Sequence, residues 1–201
     1  MLAVGLLTVT GASFATTIVD TGPATPANPD DFTVGGHRAG QFVLDSTTTI
    51  TSVERWTAVT TGGDAFFGIH SDAAGLPGDA IEGLFATLTV AEGGNAWIGV
   101  SGLNWELPAG TYWLRLSIWW GGLLGPARFA APFCAVGDTA CLPAALALES
   151  GLDAFDPEVW GPRGARTAWR ISGTTVPEPG SLALLALGLA GLGLHRRLRI
   201  K

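Results

Sequence analysis

Gly110-Thr-Tyr-Trp-Leu-Arg-Leu-Ser-Ile-Trp119 is the stretch on which the reading of the fold turns. Tyr112, Leu114, Leu116 and Ile118 fall on one side of an extended chain, and Trp113, Arg115, Ser117 and Trp119 fall on the other. A period of two is the signature of a β-strand with one buried face. Outward from it, short apolar or β-branched runs recur and predict further strands over residues 41–44, 49–59, 65–70, 84–90, 96–100 and 166–172. The turns between them are legible in Thr61-Gly-Gly-Asp64, Ser71-Asp-Ala-Ala-Gly-Leu-Pro-Gly78 and Glu92-Gly-Gly-Asn95. No amphipathic helical pattern precedes Leu142, and residues 142–152 are expected to form one helical turn or several. Such a series of short strands predicts an all-β fold, a jelly-roll-like two-sheet β-sandwich. The length suits one core and is too short for two comfortable domains.

Charge is divided unevenly along the chain. Between Thr16 and Val176, seven arginines (Arg38, Arg55, Arg115, Arg128, Arg163, Arg166 and Arg170) face sixteen carboxylates, a balance near −9. The compensating positive charge sits at the C-terminus, where Lys201 is the only lysine. An acidic body argues against nucleic acid or polyanionic polymers as partners through bulk electrostatics. Its plainest use is solubility outside the cell.

Export is also the reading of the N-terminus. Met1 to Ala15 is apolar and small, and Ser13-Phe-Ala15 fits a small-x-small cleavage site before Thr16. No Lys or Arg precedes Arg38, so a positive n-region is missing; the true start lies elsewhere, or the Met1 amino group is the only charge there. A buried first strand is the competing account. The expected organisation is a signal segment at 1–15, a sandwich at 16–175 with an insertion at 121–163, and a tail at 176–201. Cys134 and Cys141 lie within a Gly/Pro-flanked loop of that insertion. In an oxidising compartment they are expected to form a local disulfide. A metal site is poorly supported, because no partner His or second Cys pair lies nearby.

The tail has three parts. Val176-Pro177-Glu178-Pro179-Gly180-Ser181 is followed by an uncharged run carrying Leu182, Leu184, Leu185, Leu187, Leu189, Leu192 and Leu194, and then by Arg196, Arg197, Arg199 and Lys201. As a helix, residues 181–194 would cover roughly 20 Å, short of the ~30 Å hydrocarbon core. Bilayer thinning absorbs a mismatch of this size, and basic side chains after the run snorkel and hold that end cytoplasmic. The expectation is a single C-terminal transmembrane helix. Pro177 and Pro179 keep the entry extended and open to an enzyme.

Together these residues resemble the PEP-CTERM sorting signal of Gram-negative bacteria. The resemblance implies recognition of Pro-Glu-Pro by an exosortase-type membrane transpeptidase and removal of the tail. It further implies only transient residence in the inner membrane, and association with exopolysaccharide or biofilm matrix. Thr49-Ile-Thr-Ser-Val-Glu-Arg-Trp56, Phe67-Gly-Ile-His-Ser-Asp72 with Gly75-Leu-Pro-Gly78, and Leu107-Pro-Ala-Gly-Thr-Tyr-Trp-Leu114 are similar to β-sandwich ectodomains found among PEP-CTERM proteins. That second likeness concerns fold more than activity.

Catalytic patterns are sparse, and the chain reads as non-enzymatic with no cofactor. His70-Ser71-Asp72 supplies a His and a carboxylate but no third ligand or nucleophile, so a surface turn is the plainer reading. Ser101 in Gly99-Val-Ser-Gly102 misses the nucleophile-elbow spacing. Glu54, Glu82 and Glu106 lie in or near predicted strands, where a glycosidase pair would be spatial and not sequential. Asp30, Asp31, Asp64 and the loop from Asp72 to Asp79 offer hard oxygen ligands without a spaced calcium pattern, so no metal site is assigned.

Eight Trp against one Tyr is the oddest feature of the composition. Core packing accounts for most of them. Trp119-Trp120 cannot both point inward on a regular strand, which makes Trp113, Trp119 and Trp120 the candidates for stacking on sugar rings. The sequence thus predicts an exported envelope or matrix protein with a structural or adhesive role. A carbohydrate-binding module is the alternative, and a carbohydrate-active enzyme the third class.

Overall fold

The computed structural model describes residues 15–23, 29–32, 37–120, 123–124, 127–132, 134–135, 147–150, 160–161, 165–166 and 168–176. All regular structure among them is extended. β1 (Thr16–Asp20), β2 (Pro29–Phe32), β3 (His37–Leu44), β4 (Thr48–Thr61), β5 (Gly63–Ala73), β6 (Leu76–Val90), β7 (Gly93–Leu107) and β8 (Gly110–Ser117) carry the first half of the chain. β9 (Trp119–Trp120), β10 (Leu123–Leu124), β11 (Arg128–Pro132), β12 (Cys134–Ala135), β13 (Ala147–Ser150), β14 (Trp160–Gly161), β15 (Ala165–Arg166) and β16 (Trp169–Thr175) complete it.

Two six-stranded antiparallel sheets result among the described residues, beside two short pairs, β9–β10 and β12–β15. One runs β1-β16-β4-β11-β2, with β7 on the other side of β4; the second runs β14-β13-β3-β8-β5-β6. Phe42, Leu44, Phe67, Ile69, Leu114 and Leu116 of the second sheet share one buried cluster with Ile50, Val53, Trp105, Phe129, Trp169 and Ile171 of the first. Two sheets closing on one core is a β-sandwich, built from the alternation that the sequence shows. Short connections alternate between its two ends. Residues 45–47 and 108–109 join the sheets at one end, and residues 62 and 91–92 turn the chain at the other.

β8 departs from its expected character. Its inward residues Leu114 and Leu116 are fully buried, but so are Trp113 and Ser117 on the opposite face, and Arg115 is only 2% exposed. The strand lies between β3 and β5 in its sheet, and the side chains on both of its faces are buried. Residues 147–150, expected within a helical stretch, instead form β13, with Leu148 opposite Ala39 of β3. An available strand edge outweighs weak local helix preference. The remainder of the 142–152 stretch lies outside the described residues. Within 121–163, read as an insertion, β11 pairs with both β4 and β2, and β13 pairs with β3, so parts of this stretch are woven into both sheets.

The β5–β6 hairpin shows how local chemistry sets register. Ala73 pairs with Leu76, leaving Ala74 and Gly75 as a two-residue loop with φ of 55° and 84°. Both central residues at positive φ is the hairpin turn whose twist suits the flanking strands, and glycine takes the second position at no steric cost. The Gly75 N–H donates to Asp72 Oδ2 at 3.2 Å, closing the turn.

Candidate functional site

Three places bring chemistry-bearing side chains together. The first lies on the outer side of β3, β8 and β5. His70 stands opposite Trp113 across the β5–β8 ladder and is 2% exposed. Its Nδ1 lies 2.7 Å from the Gly78 carbonyl, so Nδ1 carries the proton and donates. That leaves Nε2 to accept from Arg115 Nη1 at 3.3 Å, while Arg115 Nη2 donates to Ser117 Oγ at 3.3 Å. Trp113 Nε1 donates to Asp72 Oδ1 at 2.8 Å, and Gln41 Nε2 donates to the same oxygen at 3.0 Å. The Trp113 bond first, then the Gly75 N–H and Gln41, hold the Asp72 carboxyl below its ordinary range.

In this cluster His70 and Asp72 are engaged in bonds that tie adjacent strands and the hairpin turn. Trp113 serves as a buried donor, which removes it from any sugar-stacking surface. The alternation correctly separated the faces of β8, but it does not show what covers the second face.

The second place is the open face of the other sheet. Asp20, Arg170 and Glu54 stand in one row across β1, β16 and β4. Arg170 Nε reaches Asp20 Oδ2 at 3.1 Å, and Nη1 reaches Glu54 Oε2 at 3.5 Å. The Arg170 guanidinium also lies 4.2 Å from the ring centroid of Trp97. Trp97 pairs in register with Trp56, and their ring centroids are 5.6 Å apart with planes at 63°. Both indoles are half-buried. A shallow depression of about 200 Å³ adjoins them, lined by Ser52, Glu54, Gly99, Val100 and Ser101. Such a face combines apolar ring surface, hydroxyls, carboxylates and a guanidinium. Each Trp was legible as a strand residue, but only the β4–β7 register makes them a pair.

Trp119 and Trp120 form β9, opposite Leu124 and Leu123; their side chains lie outside the described residues. Cys134 opens β12 opposite Arg166, whereas Cys141 lies outside the described residues, and no disulfide is found among the described ones. Of the other candidate ligands, Asp64 accepts a hydrogen bond from Thr89 Oγ1 at 2.6 Å. Among the described residues no group of three His, Cys, Asp or Glu side chains is placed to hold a metal.

The third place is where the body meets the tail. β16 runs beside β4 until Thr175 pairs with Thr48, and the Val176 N–H then donates to the Thr47 carbonyl at 2.9 Å. Pro177 has no N–H with which to continue the ladder. Pro177, Glu178, Pro179, the anchor leucines and the basic residues 196–201 lie outside the described residues. Residues 175–197 match the PEP-CTERM protein-sorting motif. The PEP-CTERM motif implies export, a membrane-anchored C-terminal sorting signal and an exosortase-type processing partner. Its match begins on the last residue of β16, so fold and sorting motif abut without a linker. No curated protein matches the chain.

Proposed function

We propose that this is an exported, non-enzymatic β-sandwich protein, held briefly in the inner membrane by residues 182–194. An exosortase-type transpeptidase then cuts the tail and releases or transfers the body to the cell surface or extracellular matrix. There its role is structural or adhesive, within exopolysaccharide or biofilm. The observation that carries the reading is the PEP-CTERM match starting where the last strand ends. Intact mass of the protein recovered from its native host tests it: the mature form should lack residues 182–201. A mature fraction consisting of chains that retain Lys201 contradicts the proposal. The same spectrum checks the Cys134–Cys141 bond, which an oxidising compartment favours, as a deficit of two hydrogens.

A carbohydrate-binding reading draws support from the Trp56–Trp97 face. Half-exposed indoles beside hydroxyl and carboxylate groups suit the apolar C–H faces and hydroxyl rims of pyranose rings. Trp56→Ala or Trp97→Ala should each weaken binding to an immobilised neutral polysaccharide roughly tenfold, equivalent to about 1.4 kcal/mol. Normally folded protein that retains no glycan across a diverse polysaccharide array would sink this second reading.

A further inference from the structure

The two ends of the sandwich differ in a way that the sorting motif alone does not explain. At one end lie the last residue of β16, the first of β4, the end of β7, the start of β8 and the end of β3, because Thr175 pairs with Thr48, Thr48 with Leu107 and Leu44 with Gly110. The β5–β6 hairpin tip reaches the same end, since Ser71 pairs with Tyr112 and Ala73 and Leu76 follow beyond it. β1 also starts there, with Thr16 opposite Gly173 and its hydroxyl 3.3 Å from the Gly173 carbonyl. At the opposite end lie Thr60, Thr61 and the Glu92 turn, with Val59 opposite Gly93.

Exposed apolar side chains follow the same division. Val43 (59% exposed), Leu76 (40%) and Val176 (38%) all lie at the end from which the tail departs. Among the described residues the only other large exposed hydrophobic is Phe85, partway along β6. No described Arg or Lys sits at this end, and its described carboxylates are Asp45 in the turn, Glu106 near the end of β7, Asp79 just past the hairpin tip, and Asp72, tied to Trp113, Gln41 and Gly75. With no described cation there to attract lipid head groups, a contact at this end rests on its apolar side chains.

Chain length then supplies the constraint. From Val176 to Leu182, where the apolar run opens, there are six residues, which span at most about 20 Å when fully extended. β7 alone has fifteen residues and is roughly 50 Å long. With Leu182–Leu194 in the bilayer, the body cannot turn its other end toward it. We infer that the end of the sandwich carrying Val43, Leu76 and Val176 is a lipid-facing surface, resting on the bilayer while the tail is uncut. This rests on the proposed membrane residence of the tail. The tether keeps the local lipid concentration high enough for a small apolar contact to persist, and cutting it removes that advantage. The surface thus binds while the chain is anchored and lets go once it is processed.

The test uses the full-length chain reconstituted into vesicles of phosphatidylcholine and phosphatidylethanolamine. A benzophenone amino acid replaces one residue at a time: Val43 or Leu76 at the tail end, Thr60 or Glu92 at the opposite end, and Leu187 within the apolar run. All four body positions are exposed, so the substitutions leave the core untouched. Irradiation should give lipid adducts several-fold more abundant at 43 and 76 than at 60 and 92, by mass spectrometry. Equal or reversed labelling, with a strong lipid adduct at 187, overturns the lipid-facing surface and leaves the anchor reading standing. No lipid adduct at 187 overturns the anchor reading, and the inference falls with it.

Discussion

Replacing Pro177, Glu178 and Pro179 together with alanine is expected to abolish tail removal and leave a full-length, membrane-retained product. The physical reason begins with β16. Val176 makes the last described bond of the sheet, to Thr47, and the next residue cannot donate. A proline at 177 also biases Val176 away from helical backbone, so the chain leaves the sheet extended. Proline at 179 renews the same restriction two residues on. A processing enzyme is therefore expected to meet a segment that its prolines bias toward extended backbone, with a single carboxylate at its centre. Alanine at all three positions removes the carboxylate and both φ restrictions, and restores the two backbone N–H groups that proline lacks. The body should be unaffected, within about ±0.5 kcal/mol by urea unfolding, because the substitutions lie beyond the last strand. Mass spectrometry of membrane and released fractions from the native host decides the outcome. A variant trimmed like the wild type removes Pro-Glu-Pro as the recognition element.

The tail was readable because its signal is linear: a motif, an apolar run and a basic end in order along the chain. The Trp56–Trp97 face was not, because it exists only once β4 and β7 are in register. Nothing local to Thr49–Val59 or Ala96–Val100 says that those strands are neighbours. Trp113 shows the converse. Alternation placed it correctly on the face opposite Leu114, and exposure was the natural assumption for that face. The structure buries it against Ala39 and bonds it to Asp72, on a face of β8 that is as buried as the inward one. Period tells which residues share a side; it does not tell whether a side meets water.

Strand existence was likewise more legible than strand identity in the second half of the chain. Residues 147–150 carry no strong β signal, and they are extended because the Arg38–Gly40 edge of β3 accepts them. In that pairing Arg38, itself buried, stands opposite Glu149, so a buried cation and a carboxylate are brought to neighbouring positions by topology alone. Residues separated by more than a hundred positions cannot announce such a pairing in sequence.

The residue whose loss should cost the fold most is Trp169. It points inward from β16, is 1% exposed, and packs in the core shared by both sheets. Its ring lies against the bare backbone of β3: a Cβ added at Gly40 would come within 2.6 Å of Nε1 and 2.8 Å of Cδ1. The buried Arg55, opposite it on β4, sets its guanidinium 5.2 Å from the ring centroid. Trp169→Ala should therefore cost about 3–5 kcal/mol, a large share of the roughly 5–15 kcal/mol that holds a typical domain folded. The indole carries one liability, because Nε1 is buried without a hydrogen-bond partner among the described residues. Desolvating such a donor costs about 1–3 kcal/mol, so Trp169→Phe removes a penalty along with some volume and should fall well short of the alanine loss. Gly40→Ala forces the indole aside and should cost about 1–3 kcal/mol by overpacking. Combined with Trp169→Phe, which deletes the Nε1 that an added Cβ meets, its cost should shrink, giving a double mutant less destabilised than the sum of the singles. Urea unfolding midpoints at constant m decide among these outcomes. Strict additivity of Gly40→Ala and Trp169→Phe would mean that the close approach of the indole to β3 is not what fixes glycine at position 40.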